Sequence, residues 1–394
     1  MNTSRPRVLF VEFNEDGTVG GSHKAMAETL LALPKHGFEP LACFNEENRF
    51  ADLLRTGGVP VHVVAAARRQ EREGLSGGLA ARRLAVHARK IARRVGWLRA
   101  WGVDLLHLNN HPALGSGDWI PAALLLGIPV VSSARGLHPD HSAANRFFVR
   151  RVRRILCDSD WAAAQFDAYG VPRERVETVY LGVDAAAHRA SVSRSRNDVR
   201  AEFGFATDDI VACMVGNVRH WKGHHAVIEA IALMPDAARR GFRMLFVGDV
   251  APVDRGYREM LDARAAELGI TANVAFAGVR TKPADFVAAS DVAVHASVTP
   301  EPFGTVVIEA MALGKPVVVA NAGGPAEIVT AGSGLLHDPA DPRQLAGLLG
   351  QLAVDPGLRQ RLGTGALARV EFFALDRHVA TTARIYRDVL GLPS

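Results

Sequence analysis

Residues 297–328 read SVTPEPFGTVVIEAMALGKPVVVANAGGPAEI, and with the five residues before them they contain a complete strand–helix–strand unit. Short apolar runs at residues 292–296 and 317–320 have the length and composition of buried strands. Helix-forming residues fill positions 305–313 between the two runs, and Gly314 marks the end of that helix. The pattern predicts one unit of a parallel sheet, in which ligands bind beyond the carboxyl ends of the strands.

Two glutamates lie on the predicted binding edge of this unit. Glu301 is in the loop that follows the first strand, and Glu309 is one to two turns into the helix. Ionised carboxylates accept hydrogen bonds from hydroxyl groups, and the N-terminus of a helix favours anionic ligands. We therefore predict a ligand site here, with ordinary solvated helix-end acids as the alternative explanation.

The same alternation of strands and helices continues along the chain of 394 residues, which is too long for one ordinary core. Aperiodic Ala, Ser and Arg residues at 185–200 interrupt it and predict a linker. We predict an α/β protein with two doubly wound, Rossmann-like domains, at residues 1–184 and 201–375, that face each other across a cleft. The last helix, at about residues 376–394, is expected to pack back on the first domain.

The pattern of apolar residues and cysteines predicts a cytoplasmic protein. No apolar run reaches the ~18 residues that cross a membrane, and the N-terminus shows no signal-peptide pattern. Cys43, Cys157 and Cys213 are scattered in apolar runs without metal-ligand spacing. This arrangement predicts buried structural thiols and argues against a zinc site.

One short motif imitates a metal site. Asp158, Ser159 and Asp160 form a D-x-D sequence, but they fall where a predicted strand turns into a helix. Ser and Asp side chains commonly cap helix N-termini, so Ser159 or Asp160 is predicted to be an N-cap. We therefore expect no metal ion and no cofactor.

Positive charge is concentrated in the first half of the chain. Residues 1–190 carry 25 Lys and Arg against 19 Asp and Glu, whereas the rest of the chain has 21 against 22. A predicted basic helix at residues 78–101 has an apolar stripe formed by Leu84, Ala88, Ile91, Val95 and Leu98. Two explanations stay open: a solvated surface helix, or peripheral contact with an anionic inner membrane surface or acceptor. Nucleic acid is not expected as a partner, since few aromatic residues alternate with the basic ones.

Polar side chains also follow several predicted strands of the first half. In a parallel sheet such positions share the edge at which substrates bind, although a lone polar residue is more often packed or solvated. Their clustering at adjacent strand ends favours a site. The acceptor-side candidates are Asn14, Asn109, His111 and His138.

Gly20 and Gly21 lie between the first predicted strand and the first helix. Such a loop can present backbone N–H groups to a phosphate, but a plain turn explains it equally well. The loop does not have the G-x-G-x-x-G pattern, which argues against a nicotinamide cofactor.

The context of Glu301 and Glu309 resembles the retaining nucleotide-sugar glycosyltransferases of the two-domain GT-B fold. Within that fold it is most similar to glycosyltransferase family 4, the glycogen-synthase-like and mannosyltransferase-like group. Two glutamates at this spacing carry little information alone, but the matches around them make the resemblance specific, and further matches span nearly the whole chain. The matching positions are Glu301, Phe303, Gly304, Glu309, Ala310, Met311, Ala312, Gly314, Pro316, Val317, Val318, Gly323, Gly324 and Glu327, with support from Gly20, Gly21, Gly182, Val183, Asp184, Lys222, Gly223 and Gly278.

The resemblance implies donor-side roles for several of these positions. Glu301 would bind hydroxyls of the donor sugar, Glu309 would bind the ribose, and Lys222 would neutralise the diphosphate leaving group. Backbone N–H groups at the helix start would hold phosphate or sugar oxygens, and the residue after Gly278 would contact the nucleobase. The other donor-binding positions implied in this way are Gly20, Gly21, Val279, Gly304, Thr305 and Val306.

Two positions depart from the family pattern. Many members have Gly-Arg where this chain has Gly216 and Asn217, so Arg219 is expected to supply the missing phosphate-binding charge. A family histidine that contacts the donor sugar is replaced by Arg135. Arg135 is expected to take over the sugar-side role or to mark a different sugar or acceptor.

The resemblance therefore implies a retaining, metal-independent hexosyl- or N-acetylhexosaminyltransferase that uses a UDP- or GDP-linked sugar. The acceptor would be a hydroxyl group of a glycan, a glycolipid or a small-molecule precursor. In this family a leaving-group phosphate oxygen is thought to take the acceptor proton, so no protein base is required. The alternatives are an epimerase or a phosphorylase on the same fold, and a non-catalytic nucleotide-sugar-binding scaffold.

Overall fold

The chain forms two compact units, Met1–Leu181 with Leu375–Ser394, and Gly182–Ala374. The predicted site residues Asn14 and His138 lie outside the described residues. For residues 79–84 only the backbone is described. The computed structural model describes residues 5–13, 20–64, 79–112, 118–136, 142–251 and 254–393.

Each unit is built on one sheet in which all neighbouring strands are parallel. The described strands are β1 (Arg7–Glu12), β2 (Glu39–Phe44), β3 (Val61–Val63), β4 (Leu105–Leu108), β5 (Val130–Ala134), β6 (Arg154–Cys157), β7 (Val176–Thr178), β8 (Ile210–Val215), β9 (Phe242–Val247), β10 (Val274–Gly278), β11 (Val292–His295), β12 (Val317–Ala320) and β13 (Gly334–His337). The strand orders are β3-β2-β1-β4-β5-β6-β7 in the first unit and β10-β9-β8-β11-β12-β13 in the second.

Helices connect the strands in both units, and none of the described helices is long and apolar enough to cross a membrane. They are α1 (Gly21–Ala32), α2 (Arg49–Thr56), α3 (Leu79–Ala100), α4 (Trp119–Leu125), α5 (Ala143–Val149), α6 (Asp160–Ala164), α7 (Ala185–Ala190), α8 (Arg196–Glu202), α9 (His224–Leu233), α10 (Asp236–Arg239), α11 (Arg255–Glu267), α12 (Pro283–Ala289), α13 (Thr305–Ala312), α14 (Pro325–Ile328), α15 (Pro342–Val354), α16 (Pro356–Val370) and α17 (Leu375–Leu390).

The first sheet is covered by apolar side chains on both faces. Leu9 and Val11 of β1 belong to a core that includes residues of α3 and α4, whereas Val8 and Phe10 belong to a second core with α1 and α17. Successive side chains of a strand point to opposite faces, so one strand can serve two cores. The helix α17 thus packs in the first unit although it follows the second unit in the chain.

The second sheet is built in the same way. Ala212 and Met214 of β8 face a core that they share with α9, α11 and α15, and the alternating Val211 and Cys213 are buried as well. The three cysteines are free and buried, as predicted. Burial raises the pKa of Cys43 and of Cys213 to about 12, which makes these thiols unreactive.

Both sheets reverse their strand order, between β1 and β4 in the first unit and between β8 and β11 in the second. In doubly wound sheets, ligands bind outside the carboxyl ends of the strands at such a switch point. The loops that follow these four strands are therefore the places to look for a site.

Residues 185–200 are not an irregular linker, because they contribute to two short helices of the second unit, α7 and α8. The side chain of Asp184 accepts a hydrogen bond from the N–H of Ala187 (2.8 Å), and that of Ser195 accepts one from the N–H of Asp198 (3.1 Å). These N-caps mark where the two helices begin. Segments of six or seven residues are too short to show a helical repeat of apolar residues, so the sequence pattern does not reveal them.

The basic helix α3 is confirmed, but its predicted apolar stripe is only partly buried. Leu98 is buried and Ile91 and Val95 are half-buried, whereas Ala88 is exposed; the side chain of Leu84 lies outside the described residues. A stripe drawn at regular helical spacing assumes a partner along the whole helix. Among the described residues, the core of the first sheet covers only the second half of α3.

Candidate active site

The loops after β8 and β11 meet at the switch point of the second sheet. Gly223 permits a very close approach: it has φ 81°, and a Cβ atom there would lie 1.9 Å from the carbonyl oxygen of Ala296. The carbonyl oxygen of Trp221 accepts a hydrogen bond from the N–H of Val298 (2.9 Å). These contacts bring together Lys222 and Glu301, which are 79 positions apart in the chain.

The carboxylate of Glu301 is held by three side chains. Lys222 Nζ donates to Oε1 (3.1 Å) and Oε2 (2.9 Å), and Ser297 Oγ donates to Oε1 (2.7 Å). His295 Nε2 makes a short hydrogen bond to the same Oε1. The side chains of Glu301 and Lys222 are 14% and 17% exposed, so both groups are largely removed from water but can still be reached by a ligand.

The protonation state of Glu301 follows from these contacts. Burial alone would raise the pKa of its carboxyl group, but the charges of His295 and Lys222 and their hydrogen bonds hold that pKa well below its usual range. Glu301 is therefore ionised throughout the neutral range. A fixed carboxylate of this kind suits the acceptance of hydrogen bonds from hydroxyl groups better than it suits proton donation.

The two glycines at 323 and 324 fix the backbone of the Glu301 loop. Glu301 pairs with Gly323 in a parallel bridge, and the N–H of Gly324 donates to the carbonyl oxygen of Glu301 (2.9 Å). A Cβ atom at Gly323 would lie 2.5 Å from that oxygen, and one at Gly324 would lie 2.0 Å from the carbonyl oxygen of Pro302. Only glycine permits this contact between the two loops.

The N-terminus of α13 follows the Glu301 loop directly. Gly304 turns the chain with φ 90°, and the helix begins at Thr305 without a side-chain cap. Thr305 and Val306 are half-buried, and backbone N–H groups in the first turn of a helix attract anions. Glu309 is half-buried one turn further along the same helix.

Two other predicted donor positions also follow strands of this sheet. Arg219 lies in the loop after β8, but its Nε atom is 3.4 Å from Asp254 Oδ2, so its charge is already compensated in part. Val279 follows β10, and its side chain is 65% exposed. Its backbone is positioned by Gly278, whose carbonyl oxygen accepts a hydrogen bond from the N–H of Gly248 (3.1 Å).

In the first unit, a buried carboxylate organises the switch point of the sheet. Glu12 is the last residue of β1 and is inaccessible to solvent. Asn110 Nδ2 donates to its Oε1 (2.6 Å), Ser22 Oγ donates to the same oxygen (3.2 Å), and Asn109 Nδ2 makes a short contact with Oε2. The sequence does not predict this role of Glu12; its only signal is a charged residue at the end of an apolar strand.

Asn109 links Glu12 to Arg135. Its amide nitrogen also donates to the carbonyl oxygen of Ser22 (3.1 Å), and its Oδ1 accepts from Arg135 Nε (3.1 Å). Asn109 is a predicted acceptor-side residue, but both the nitrogen and the oxygen of its side-chain amide are hydrogen-bonded within the chain. The Nη1 atom of Arg135 is buried and has no hydrogen-bond partner among the described residues.

The remaining predicted residues of the first unit, Gly20, Gly21 and His111, have different surroundings. A Cβ atom at Gly20 or Gly21 would meet no described atom within 4 Å, so the described chain gives no steric reason for glycine there. The ring of His111 is buried, with its centroid 5.0 Å from that of Phe166 and 5.1 Å from that of Tyr169. This predicted acceptor-side residue therefore contributes to packing.

The D-x-D sequence is a helix start, as predicted. Ser159 Oγ accepts a hydrogen bond from the N–H of Ala162 (3.0 Å) and caps α6. Asp160 Oδ1 accepts one from Thr178 Oγ1 (2.5 Å), whereas Asp158 is buried at the end of β6.

His295 and Ser297 are the residues of this candidate site in the second unit that the sequence does not indicate. The pattern of residues 292–296 predicts an apolar strand, and no motif marks Ser297. Side chains two positions apart in an extended segment point to the same side, so the spacing of His295, Ser297 and Glu301 was an available signal. Which atom of Glu301 they contact depends on the loop geometry.

Two doubly wound sheets carry charged groups at the switch points where such sheets bind ligands. A family model described as "Glycosyltransferase Family 4" matches residues 19–187, and one described as "Glycosyl transferases group 1" matches residues 195–369. The chain belongs to the family 4 glycosyltransferases of the GT-B fold, which confirms the predicted family and fold class.

Sequence relatives support this assignment. A protein of Acidothermus cellulolyticus named D-inositol 3-phosphate glycosyltransferase is 33% identical over 74% of this chain and 63% of its own length. One of the same name from Thermomonospora curvata is 30% identical over 75% of this chain and 69% of its own length. The chain thus spans a little under two thirds of the first of these relatives.

Solved structures show the same architecture. The Anabaena protein Alr3699/HepE in complex with UDP is 25% identical and has a TM-score of 0.78, with 97% of this chain and 100% of that chain covered. A glycosyltransferase from Rickettsia africae has a TM-score of 0.84 at 16% identity, with 98% of this chain and 99% of that chain covered. The second likeness concerns the fold alone.

Proposed function

We propose that this protein transfers a sugar from a nucleoside diphosphate to a hydroxyl acceptor, with retention at the anomeric carbon. The observation that carries the proposal is the cluster of Lys222, His295, Ser297 and Glu301 beside the start of α13. A cation, an oriented carboxylate and a helix N-terminus are the groups that bind a sugar diphosphate.

A UDP-linked hexose, with UDP-glucose as the first choice, is the proposed donor. Alr3699/HepE has been solved with UDP, with UDP and glucose, and with UDP-glucose, which supports this choice over a GDP-linked sugar. A UDP-linked N-acetylhexosamine is the next donor to examine, because it differs only at one substituent of the ring.

The proposed mechanism uses charges that are already in place. Glu301 accepts hydrogen bonds from hydroxyls of the donor sugar, and Lys222 with the first turn of α13 stabilises the charge that develops on the diphosphate. Glu309 binds the ribose. A phosphate oxygen of the leaving group takes the acceptor proton, so the proposal includes no protein base and no metal ion. The other proposed donor contacts are Arg219, the backbone of Val279, Gly20 and Gly21, and the backbone N–H groups of Gly304, Thr305 and Val306.

The acceptor is proposed to be a hydroxyl of a polyol, a glycan or a glycolipid. Relatives named D-inositol 3-phosphate glycosyltransferase support a small cyclic polyol as the first acceptor to test. We assign its binding to the carboxyl edge of the first sheet, where Arg135 and Asn109 lie.

A turnover assay with and without acceptor tests the proposal. UDP-glucose, UDP-N-acetylglucosamine and GDP-mannose are each incubated with myo-inositol or D-inositol 3-phosphate, with EDTA present, and the products are followed by mass spectrometry and NMR. We expect release of the nucleoside diphosphate and a new glycoside with the anomeric configuration of the donor. Conversion of the donor sugar without acceptor would indicate an epimerase. A requirement for inorganic phosphate would indicate a phosphorylase. Donor binding without turnover would indicate a non-catalytic scaffold.

We also propose that α3 contacts an anionic membrane surface. Arg89 and Arg93 are exposed on this helix together with Val86, and Leu125 is 72% exposed at the end of α4, which packs against α3. Basic side chains beside exposed apolar ones favour the interface of an anionic bilayer. A solvated helix remains the alternative explanation.

Vesicle binding separates these two explanations. Changing Arg82, Arg89 and Arg93 to Gln is expected to reduce sedimentation with phosphatidylserine-containing vesicles, because each basic residue contributes about 1 kcal/mol near such a surface. Changing the exposed Arg255, Arg343 and Arg361 of the second unit removes the same charge and is expected to leave binding unchanged. Equal binding by both triple variants would contradict a membrane role for α3.

A further inference from the structure

Two oppositely charged residues lie side by side at the carboxyl edge of the first sheet. Arg135 directly follows β5 and Asp158 directly follows β6. The two strands are parallel neighbours, and Ala134 is paired with Cys157 in their register. Arg135 and Asp158 are therefore the next two positions opposite each other, on the edge where doubly wound sheets bind ligands.

Asp158 is buried without the partners that a buried carboxylate normally has. It is 4% exposed, and no described residue donates a hydrogen bond to it. Burial raises its pKa to about 6, and the charge of Arg135 lowers that pKa in part. Because burial of an unpaired carboxylate is costly, its presence at this edge of the sheet points to a role beyond folding.

Arg135 is anchored by a hydrogen bond, but not all of its donors have a partner among the described residues. Its Nε atom donates to Asn109, which in turn contacts Glu12, so the guanidinium group is anchored from one side. Its Nη1 atom is buried and lacks a partner in the part of the chain that the structure describes. Nor does any ion pair within 4.0 Å join it to Asp158 among those residues.

A fixed donor and a fixed acceptor that face the same edge without meeting each other suit a group that can both accept and donate. A hydroxyl group does both without carrying a charge, whereas a phosphate is anionic at neutral pH and is mainly an acceptor. A phosphate at this position would also stand next to the ionised carboxylate of Asp158, which repels it. The pair therefore fits a neutral polyol better than an anion.

We propose that Asp158 and Arg135 form a subsite for hydroxyl groups of a neutral polyol ring. One hydroxyl donates to the carboxylate of Asp158, and it or its neighbour accepts from Nη1 of Arg135. The identification of this ring as the acceptor rests on the function proposed above. For an acceptor that also carries a phosphate, the subsite holds the ring and the phosphate lies elsewhere.

Polyol titrations test the subsite directly. Myo-inositol, methyl α-D-glucopyranoside and inorganic phosphate are titrated into the full-length protein by saturation-transfer NMR, with and without UDP. At least one of the two polyols is expected to bind. Asp158→Asn keeps an acceptor oxygen but removes the charge, and it should weaken that binding about fivefold or more, because hydrogen bonds to charged groups contribute about 1 kcal/mol more than neutral ones. Asp160→Asn, an exposed position two residues away, should change it less than about twofold.

The variants also provide their own folding control. Asp158→Asn removes a buried unpaired charge without changing the shape of the side chain, so its melting temperature should equal or exceed that of the wild type. Arg135→Gln should weaken polyol binding as well, which gives a second test of the same subsite.

Two outcomes overturn the subsite: no polyol binds to the wild type, or Asp158→Asn and Asp160→Asn bind it equally well. Preferential binding of inorganic phosphate that depends on Arg135 would overturn it too. The affinity for UDP should be unaffected by Asp158→Asn. If the wild type fails to bind any nucleotide, the proposed function fails, whereas the polyol titrations without UDP still decide the role of Asp158.

Discussion

Glu301 has one carboxylate oxygen, Oε1, on which Lys222, His295 and Ser297 all converge. Such convergence fixes both the charge and the rotamer of the side chain, since each donor favours the ionised form in one position. The positions of Glu301 and Lys222 could be predicted from the family resemblance. The contribution of His295 could not, because a histidine at the end of an apolar strand looks like part of the core until the loop after it is placed.

Glu301→Gln tests the charge of this group. The substitution keeps the size of the side chain, removes the negative charge and leaves Lys222 without its ion-pair partner. We expect kcat/KM for sugar transfer to fall by about 100-fold or more, by analogy with the loss of a preorganised charged contact. The circular dichroism spectrum should be unchanged. Glu259→Gln, at an exposed position of α11, is the matched control and should retain full activity.

His295 should act on the reaction through Glu301. His295→Leu removes one hydrogen bond to a charged group, which corresponds to a loss of about 10-fold to 100-fold in kcat/KM. His295→Gln can still donate to Oε1 and should recover a large part of the activity. If Leu and Gln at this position have equal effects, His295 contributes packing and does not position the carboxylate.

At the scale of the secondary-structure elements, close backbone contacts explain why glycines surround the site. The Gly323–Gly324 segment lies directly on the Glu301 loop, and Gly223 lies on the end of β11. These glycines could be read in the sequence as turns, and the strand–helix–strand unit at residues 292–320 was predicted correctly. The order of the strands in the sheet determines what each glycine contacts, and this order cannot be deduced from a local sequence pattern.

Gly323→Ala is expected to destabilise the second unit. Its φ of 68° costs a non-glycine residue about 1–3 kcal/mol, and the new methyl group would also press on the backbone of Glu301. Urea denaturation should show the loss. Gly332→Ala, where a Cβ atom meets nothing within 4 Å, should stay within about 0.5 kcal/mol of the wild type. Equal midpoints for both variants would contradict the close contact.

The helix α17 should be tied to the first unit by a buried hydrogen bond. Tyr386 is inaccessible to solvent, and its hydroxyl group lies 2.5 Å from Nδ1 of His107. Tyr386→Phe leaves that nitrogen unpaired and should lower the free energy of unfolding by about 1–3 kcal/mol. Denaturant unfolding measures the effect, and an unchanged stability would show that this hydrogen bond makes no net contribution to holding α17.

The whole molecule contains several buried histidines that stay neutral, and they make its stability depend on pH. Burial lowers the pKa of His107 well below its usual range, that of His224 to about 3 and that of His378 to about 4. The unfolded chain takes up these protons near pH 6.5, whereas the folded chain does not. Unfolding is therefore favoured progressively as the pH falls from about 6.5 to about 4.

Melting temperatures between pH 7 and pH 4 measure this effect. Each such histidine contributes about 1.4 kcal/mol per pH unit within the window, and Asp158, whose pKa is raised to about 6, opposes it with one proton. His378→Gln should flatten the profile, whereas His87→Gln, at an exposed position, should not. A steeper acid transition in His378→Gln would contradict the assignment of a neutral histidine.

The central claim is that the second unit binds a sugar diphosphate through Lys222, and calorimetric titration of UDP-glucose tests it most directly. We expect the wild type to bind UDP-glucose, Lys222→Met to bind it at least about tenfold more weakly, and Lys282→Met, an exposed lysine in the same unit, to bind it as the wild type does. A wild type that binds no nucleotide sugar, or equal affinities for the two lysine variants, would contradict the account.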